Sequence, residues 1–214
     1  MNSPPTAMVT ASNAPAAATP LRAKLVNIFV CPSEVFEEIA ASPHKAANWS
    51  IPTVLVSLTG VVSIFISSAN DLEAAQARAA VLTVILATWI GTIWSALVLS
   101  FIGRVFLKVQ FSFVKAFEVV ALTAMILALG SVVTSLLVVA TGDAAARPAP
   151  SLLIAEFNPT DKLHSALSAL NFFHLWATTV LAAGLSKLSG VSFKEAAFWV
   201  LGYWLAWRLS LGWF

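Results

Sequence analysis

The sequence predicts an all-α polytopic membrane protein: a bundle of five transmembrane helices preceded by an N-terminal amphipathic segment. Three observations carry this. Of 214 residues, 59% are hydrophobic and only 10% are charged, with a mean hydropathy of +0.87, whereas a water-soluble domain carries about 25% charged residues. Five apolar runs, at 49–69, 79–102, 113–140, 165–187 and 194–213, are each long enough to cross a hydrocarbon core of ~30 Å at ~1.5 Å per residue. The basic residues, finally, fall unevenly on the two sides that these runs define. Arg22, Lys24, Lys45, Arg104, Lys108, Lys115, Lys187 and Lys194 share one side, against Arg78, Arg147, Lys162 and Arg208 on the other. Positive charge is retained in the cytoplasm. The expected location is therefore the plasma (inner) membrane, with the N-terminus cytoplasmic and the C-terminus outside.

Residues 1–20 are rich in alanine and proline and hold no charged side chain. Such a stretch buries too little surface to offset its ordering entropy, and a disordered tail is expected. No signal peptide is expected there, because the first positive charge is Arg22 and the apolar run behind it is short. "NIFVC" has a faint likeness to a lipoprotein box, but Val30 stands where a small residue is needed and Pro32 follows Cys31, so lipidation of Cys31 is the lesser expectation.

The segment 21–48 reads as two short amphipathic helices meeting at Cys31-Pro32. Leu21, Leu25, Ile28 and Phe29 share one face, and Val35, Phe36 and Ile39 repeat the pattern opposite Glu34, Glu37 and Glu38. Pro32 suits a first helical turn. The expectation is an interfacial pair on the cytoplasmic leaflet, with Arg22 and Lys24 each adding about 1 kcal/mol of attraction to anionic lipid. The competing arrangement is a pair packed on the protein itself.

Residues 49–214 form the membrane domain. Pro52 falls in the first turn of the first run, and Gly130 interrupts the third alone. The 141–164 connection has a Pro-Ala-Pro centre that argues against a long helix, and its "SLLIAEF" stretch is placed to dip into the interface before Asn158-Pro159 turns the chain. Thr160 or Asp161 is the expected N-cap of the fourth helix. Ser112, Phe113, Ala116 and Val120 recur as Ser192, Phe193, Ala196 and Val200, and Ser192 with Glu195 makes an S-x-x-E capping box.

The run Pro32-Ser33-Glu34-Val35-Phe36-Glu37-Glu38-Ile39, followed by Pro43, Trp49 and Pro52, resembles the segment that leads into the membrane in the Yip domain family. These are five-span membrane proteins of the Ypt/Rab-interacting-protein type, and the likeness is to their bacterial branch. "LAAGLSKLSGVSFKEAAFWVLGYW" resembles the family's turn between spans four and five. The likeness covers about 21–214. The Asp-Leu-Tyr-Gly-Pro motif of eukaryotic members is missing, so Rab-type partner binding is not carried over. The resemblance implies a five-span architecture and a membrane-organising role, and it implies no reaction.

The residues themselves argue against catalysis. Gly184-Leu185-Ser186 offers a serine, but His174 lies twelve residues earlier on the same helix, about 18 Å away. His44 and His164 are expected at opposite faces. There is no H-E-x-x-H, no aspartyl pair and no phosphate-binding glycine loop. A single cysteine and no Cys/His cluster leave neither disulfide nor metal site. No cofactor is expected, and a net charge of +2 gives no basic field for nucleic acid.

Three polar residues inside the apolar runs remain as candidates. Glu118 lies a turn and a half into the third run, and a carboxylate at that depth marks a functional site by default. The simpler account is an ion pair with Lys115 at i, i+3. Asn171, His174 and Thr178 share one face of the fourth helix, as interhelical glue or, for His174, as a proton relay. The paired broken helices of transporters are missing. Small-residue stripes, Ala87-Gly91-Ser95 and Gly202-Ala206-Ser210, are expected to hold the bundle together by close backbone approach. Trp199, Tyr203 and Trp207 make an aromatic stripe, and Trp49 and Trp213 sit at interfacial depths. The expected function is non-enzymatic: a scaffold or adaptor whose partners are the lipid bilayer, other membrane proteins or copies of itself. The alternative is a small-solute or ion conduit using Glu118 and His174.

Overall fold

The computed structural model describes residues 19–67, 74–143, 145–154, 157–158 and 160–212. The tail 1–18 and Trp213, on which two of the expectations fall, lie outside the described residues. Every regular element described is helical: α1 (Leu21–Asn27), α2 (Pro32–Ala41), α3 (Ala47–Ser67), α4 (Ala74–Phe101), α5 (Phe113–Thr141), α6 (Lys162–Ala169), α7 (Phe172–Ser189) and α8 (Phe193–Gly212). A π turn, Ile102–Phe106, extends α4, and a 3₁₀ turn, Pro150–Leu153, interrupts the longest connection.

Three helices, Ala47–Ile66, Ala75–Phe106 and Phe113–Thr141, are long and apolar enough to cross a membrane, and α6 with α7 forms a fourth such unit bent by 48°. Local chemistry explains the ends. Pro32 opens α2, where its missing N–H costs no hydrogen bond. Asp161 caps α6 by accepting from the backbone N–H groups of Leu163 and His164. The Ser192 hydroxyl accepts from the Glu195 N–H at 3.3 Å, half of the expected capping box. α3 begins at Ala47, ahead of its apolar run, which moves Pro52 from the expected first turn into the second.

α5 is the hub, packed against α3, α4, α7 and α2. Eight consecutive residues, Ala116 to Thr123, are buried on every side, as befits a helix surrounded by others. The closest approach is at Gly184 of α7, where an added Cβ would stand 2.3 Å from Val119 of α5 and 3.3 Å from the ring of Phe36 in α2. Gly130 of α5 plays the same part, since a Cβ there would meet Phe173 at 2.7 Å. The expected stripes do not do this work. Gly91 and Gly202 are exposed and have nothing within 4 Å of an added Cβ. Small residues permit close approach, but only on a face that another helix meets.

The amphipathic segment is also placed differently from the interfacial expectation. Val35, Phe36 and Ile39 of α2 and Ile28 after α1 are buried in the core, with α2 seated on α7 and α5. The apolar face of α2 is turned onto the protein and not left for lipid. Fully burying each such side chain contributes ~1.5–3 kcal/mol where the alternative is water.

Candidate functional site

Glu118 is fully buried, and its partners come from the chain that joins α2 to α3. Oε1 accepts the backbone N–H of Lys45 at 2.6 Å and the side-chain amide of Asn48 at 3.4 Å. Oε2 faces the Lys115 ammonium at 3.5 Å, an ion-pair distance that leaves this oxygen without a hydrogen bond. Lys115 in turn donates to the carbonyls of Ile39, at 2.5 Å, and Ser42, which belong to the last turn and C-cap of α2. One ion pair on α5 therefore satisfies carbonyls at the end of α2 and an N–H at the start of α3, groups that helix ends leave open. The i, i+3 spacing of Lys115 and Glu118 was visible in sequence. Their long-range partners carried no sequence signal.

Two further pairs fasten the same segment. Lys187 near the end of α7 meets Glu37 at 2.8 Å, and Lys24 of α1 meets Glu38 at 3.0 Å. Lys24 is buried, so only Arg22 of the two expected lipid-attracting cations stays exposed. The Lys187 ammonium holds the Glu37 carboxyl below its ordinary value. Burial raises that of Glu38, but hydrogen bonds from Thr19 and Lys24 outweigh it and the net shift is downward.

Asn171, His174 and Thr178 do not act as one stripe. Asn171 is the N-cap of α7, its Oδ1 accepting from the N–H groups of Phe173 at 2.9 Å and His174 at 3.4 Å. A side chain that takes these donors offers the backbone an alternative to continuing the helix, and the fourth run, expected as one helix, is bent here. Thr178 donates to the His174 carbonyl one turn back at 2.7 Å. His174 alone reaches another helix: its Nδ1 lies 3.3 Å from Nη2 of Arg208 on α8. Arginine can only donate, so this contact uses the Nδ1 lone pair and places the ring proton on Nε2. Arg208 also lies over the Trp204 ring, 5.8 Å from its centroid.

His174 borders a cleft of about 650 Å³ among α4, α5, α7 and α8. Thr88, Thr92, Thr123 and Thr178 line it too, but each hydroxyl donates to a carbonyl of its own helix. Glu118 does not border this cleft, so the two ionisable candidates belong to separate clusters. Ser186 donates to the Val191 carbonyl at 2.7 Å, a turn contact with no base attached. Trp49, expected as an interfacial anchor, packs on Phe117 at 5.1 Å and Trp89 at 6.2 Å between ring centroids.

A family model of the Yip1 domain matches residues 26–214. The chain belongs to the Yip1 domain family. No curated protein and no solved structure matches it. The Yip1 domain here takes in α2 as well as the apolar helices, so α2 and the Glu118 joint lie inside one matched unit. With its long apolar helices, this Yip1-domain protein is an integral membrane protein.

Proposed function

We propose that this Yip1-domain protein is a non-catalytic scaffold or adaptor that organises membrane lipids or protein partners. Its five spans lie in the plasma (inner) membrane, with the N-terminus cytoplasmic and the C-terminus outside. The observation that carries the reading is the use made of buried charge: Glu118 and Lys115 hold the α2–α3 connection on α5. A carboxylate so engaged is a joint, and the joint makes α1 and α2 a fixed platform at one end of the bundle. The platform's outer face shows Glu34 and Glu37, while Val26 and Val30 at its corner are 64% and 75% exposed. Exposed apolar side chains rimmed by charge suit a protein partner.

The five-span count is supported by α8, whose 20 residues reach ~30 Å, with bent α6–α7 counted as one crossing. The collection of Lys24, Lys45, Lys115 and Lys187 at one end supports a cytoplasmic platform.

The test is crosslinking and capture from native membranes with the full chain and Val30→Asp. Capture of defined partners that Val30→Asp abolishes supports the adaptor. His174 beside the 650 Å³ cleft favours a conduit as second reading. A pH-dependent flux in proteoliposomes that His174→Gln removes, from a protein that folds normally, would replace the adaptor by it.

A further inference from the structure

We infer that the groove between α4 and α8 holds one anionic glycerophospholipid, its phosphate on Arg104 and an acyl chain running between the helices toward Trp94 and Tyr203. The inference deepens the scaffold reading by naming a lipid class, and it rests on the membrane placement in that reading.

The groove encloses about 930 Å³ and its depth selects the occupant. Arg104 and Trp94, both on its wall, are ten residues apart along α4, about 15 Å. That is half of a ~30 Å hydrocarbon core, the thickness filled by the chains of one leaflet. At the floor the Trp94 indole N–H donates to the Tyr203 hydroxyl at 3.1 Å. Trp94 thereby finds its acceptor in the protein, and the floor asks no hydrogen bond of an apolar guest.

The mouth is built for charge. Arg104 is exposed, and among the described residues no carboxylate lies within ion-pairing distance of it. Lys108, four residues on, is likewise exposed and unpaired among the described residues. Arginine presents planar paired donors to phosphate, and the anionic lipids of a cytoplasmic leaflet supply it.

The backbone is reshaped at the same place. Arg104 stands in the π turn Ile102–Phe106, a widened turn common at functional sites. The chain then folds back, with the Val109 N–H donating to the Gly103 carbonyl at 2.9 Å and the Phe111 ring where a Gly103 Cβ would be, at 2.4 Å. Phe106 lies flat on Trp199 of α8, centroids 4.1 Å apart and planes at 18°, bracing the rim. Gly202, on the opposite wall, leaves open the space a chain would fill.

The test uses the full-length protein in phosphatidylcholine vesicles, with tryptophan fluorescence as readout. Phosphatidylglycerol with brominated chains is added at low mole fraction, and phosphatidylcholine with the same chains serves as reference. The expected result is an occupancy preference for phosphatidylglycerol of about fivefold, the advantage of one basic side chain near an anionic headgroup. Arg104→Gln should abolish the preference, and so should Gly202→Leu, which puts a side chain into the groove from a position where an added Cβ has nothing within 4 Å. Equal quenching by the two lipids overturns the inference, as does a preference that survives either substitution. Quenching that falls as protein-to-lipid ratio rises would mean that a second copy occupies the groove, and overturns it too. Because the readout is independent of partner capture, loss of the lipid preference and failure of the adaptor reading are distinguishable.

Discussion

The backbone N–H of Lys45 donates to Oε1 of Glu118 at 2.6 Å, across 73 positions of sequence. The contact sets a carboxylate beside the opening turn of α3, where the helix dipole is positive, and fastens that turn to the buried hub. With Lys115 bound to the end of α2, two neighbouring side chains on α5 decide how the N-terminal segment meets the membrane domain.

Replacing Glu118 by leucine should therefore destabilise the protein by about 3–5 kcal/mol, because Lys115 loses its buried counter-charge. Glu118→Gln also removes that counter-charge but keeps an acceptor for Lys45 and Asn48, and should be less harmful than leucine by about 1–3 kcal/mol, the cost of leaving those donors unpaired. Unfolding midpoints in detergent rank the two. A leucine variant as stable as wild type would mean that the joint contributes nothing.

Glycine substitutions should separate true contacts from open faces. Gly184→Val drives a side chain into Val119 and Phe36 and should cost about 1–3 kcal/mol by overpacking. At Gly91 and Gly202 an added Cβ has nothing within 4 Å, so Gly91→Leu and Gly202→Leu should leave the melting temperature close to wild type. Equal losses at all three positions would contradict this packing.

Asn171→Ala should cost about 1 kcal/mol, the loss of an N-cap, whereas Asn171→Asp keeps the accepting oxygen and should be nearly neutral. If Asn171 instead bonded another helix, alanine and aspartate would be about equally harmful. Thermal stability of the two variants decides.

The docking of α2 should weaken in acid. Glu37 and Glu38 are both held below the ordinary value of 4.5, so their contribution is complete above that value and is lost as pH falls through the lowered ones. Amide exchange over 32–41, divided by the intrinsic rate at each pH, should stay constant from pH 7 to about 4.5 and rise below it. Lys187→Gln should remove the part due to Glu37. Constant protection down to pH 3 would show that apolar burial alone holds α2.

The sequence by itself determined the all-helical class, the extents of the apolar runs and several helix ends, because these depend on local chemistry. Apolar runs long enough for the hydrocarbon core favour helix from their own chemistry, with the fourth run broken at its Asn171 cap, and Pro32, Asp161 and Ser192 act within their own turns. The tertiary structure alone decided which helix lies at the centre, and that Gly184 and Gly130 are contact points while Gly91 and Gly202 are not. It also decided that α2 packs on protein and that Arg208 is the neighbour of His174. The reason is that lipid tails and leucine are equally apolar: hydropathy says that a face avoids water and is silent on whether lipid or another helix covers it. Asn171 shows the same limit for polar groups, since a stripe on a helical wheel does not reveal that one member has left the helix to cap it.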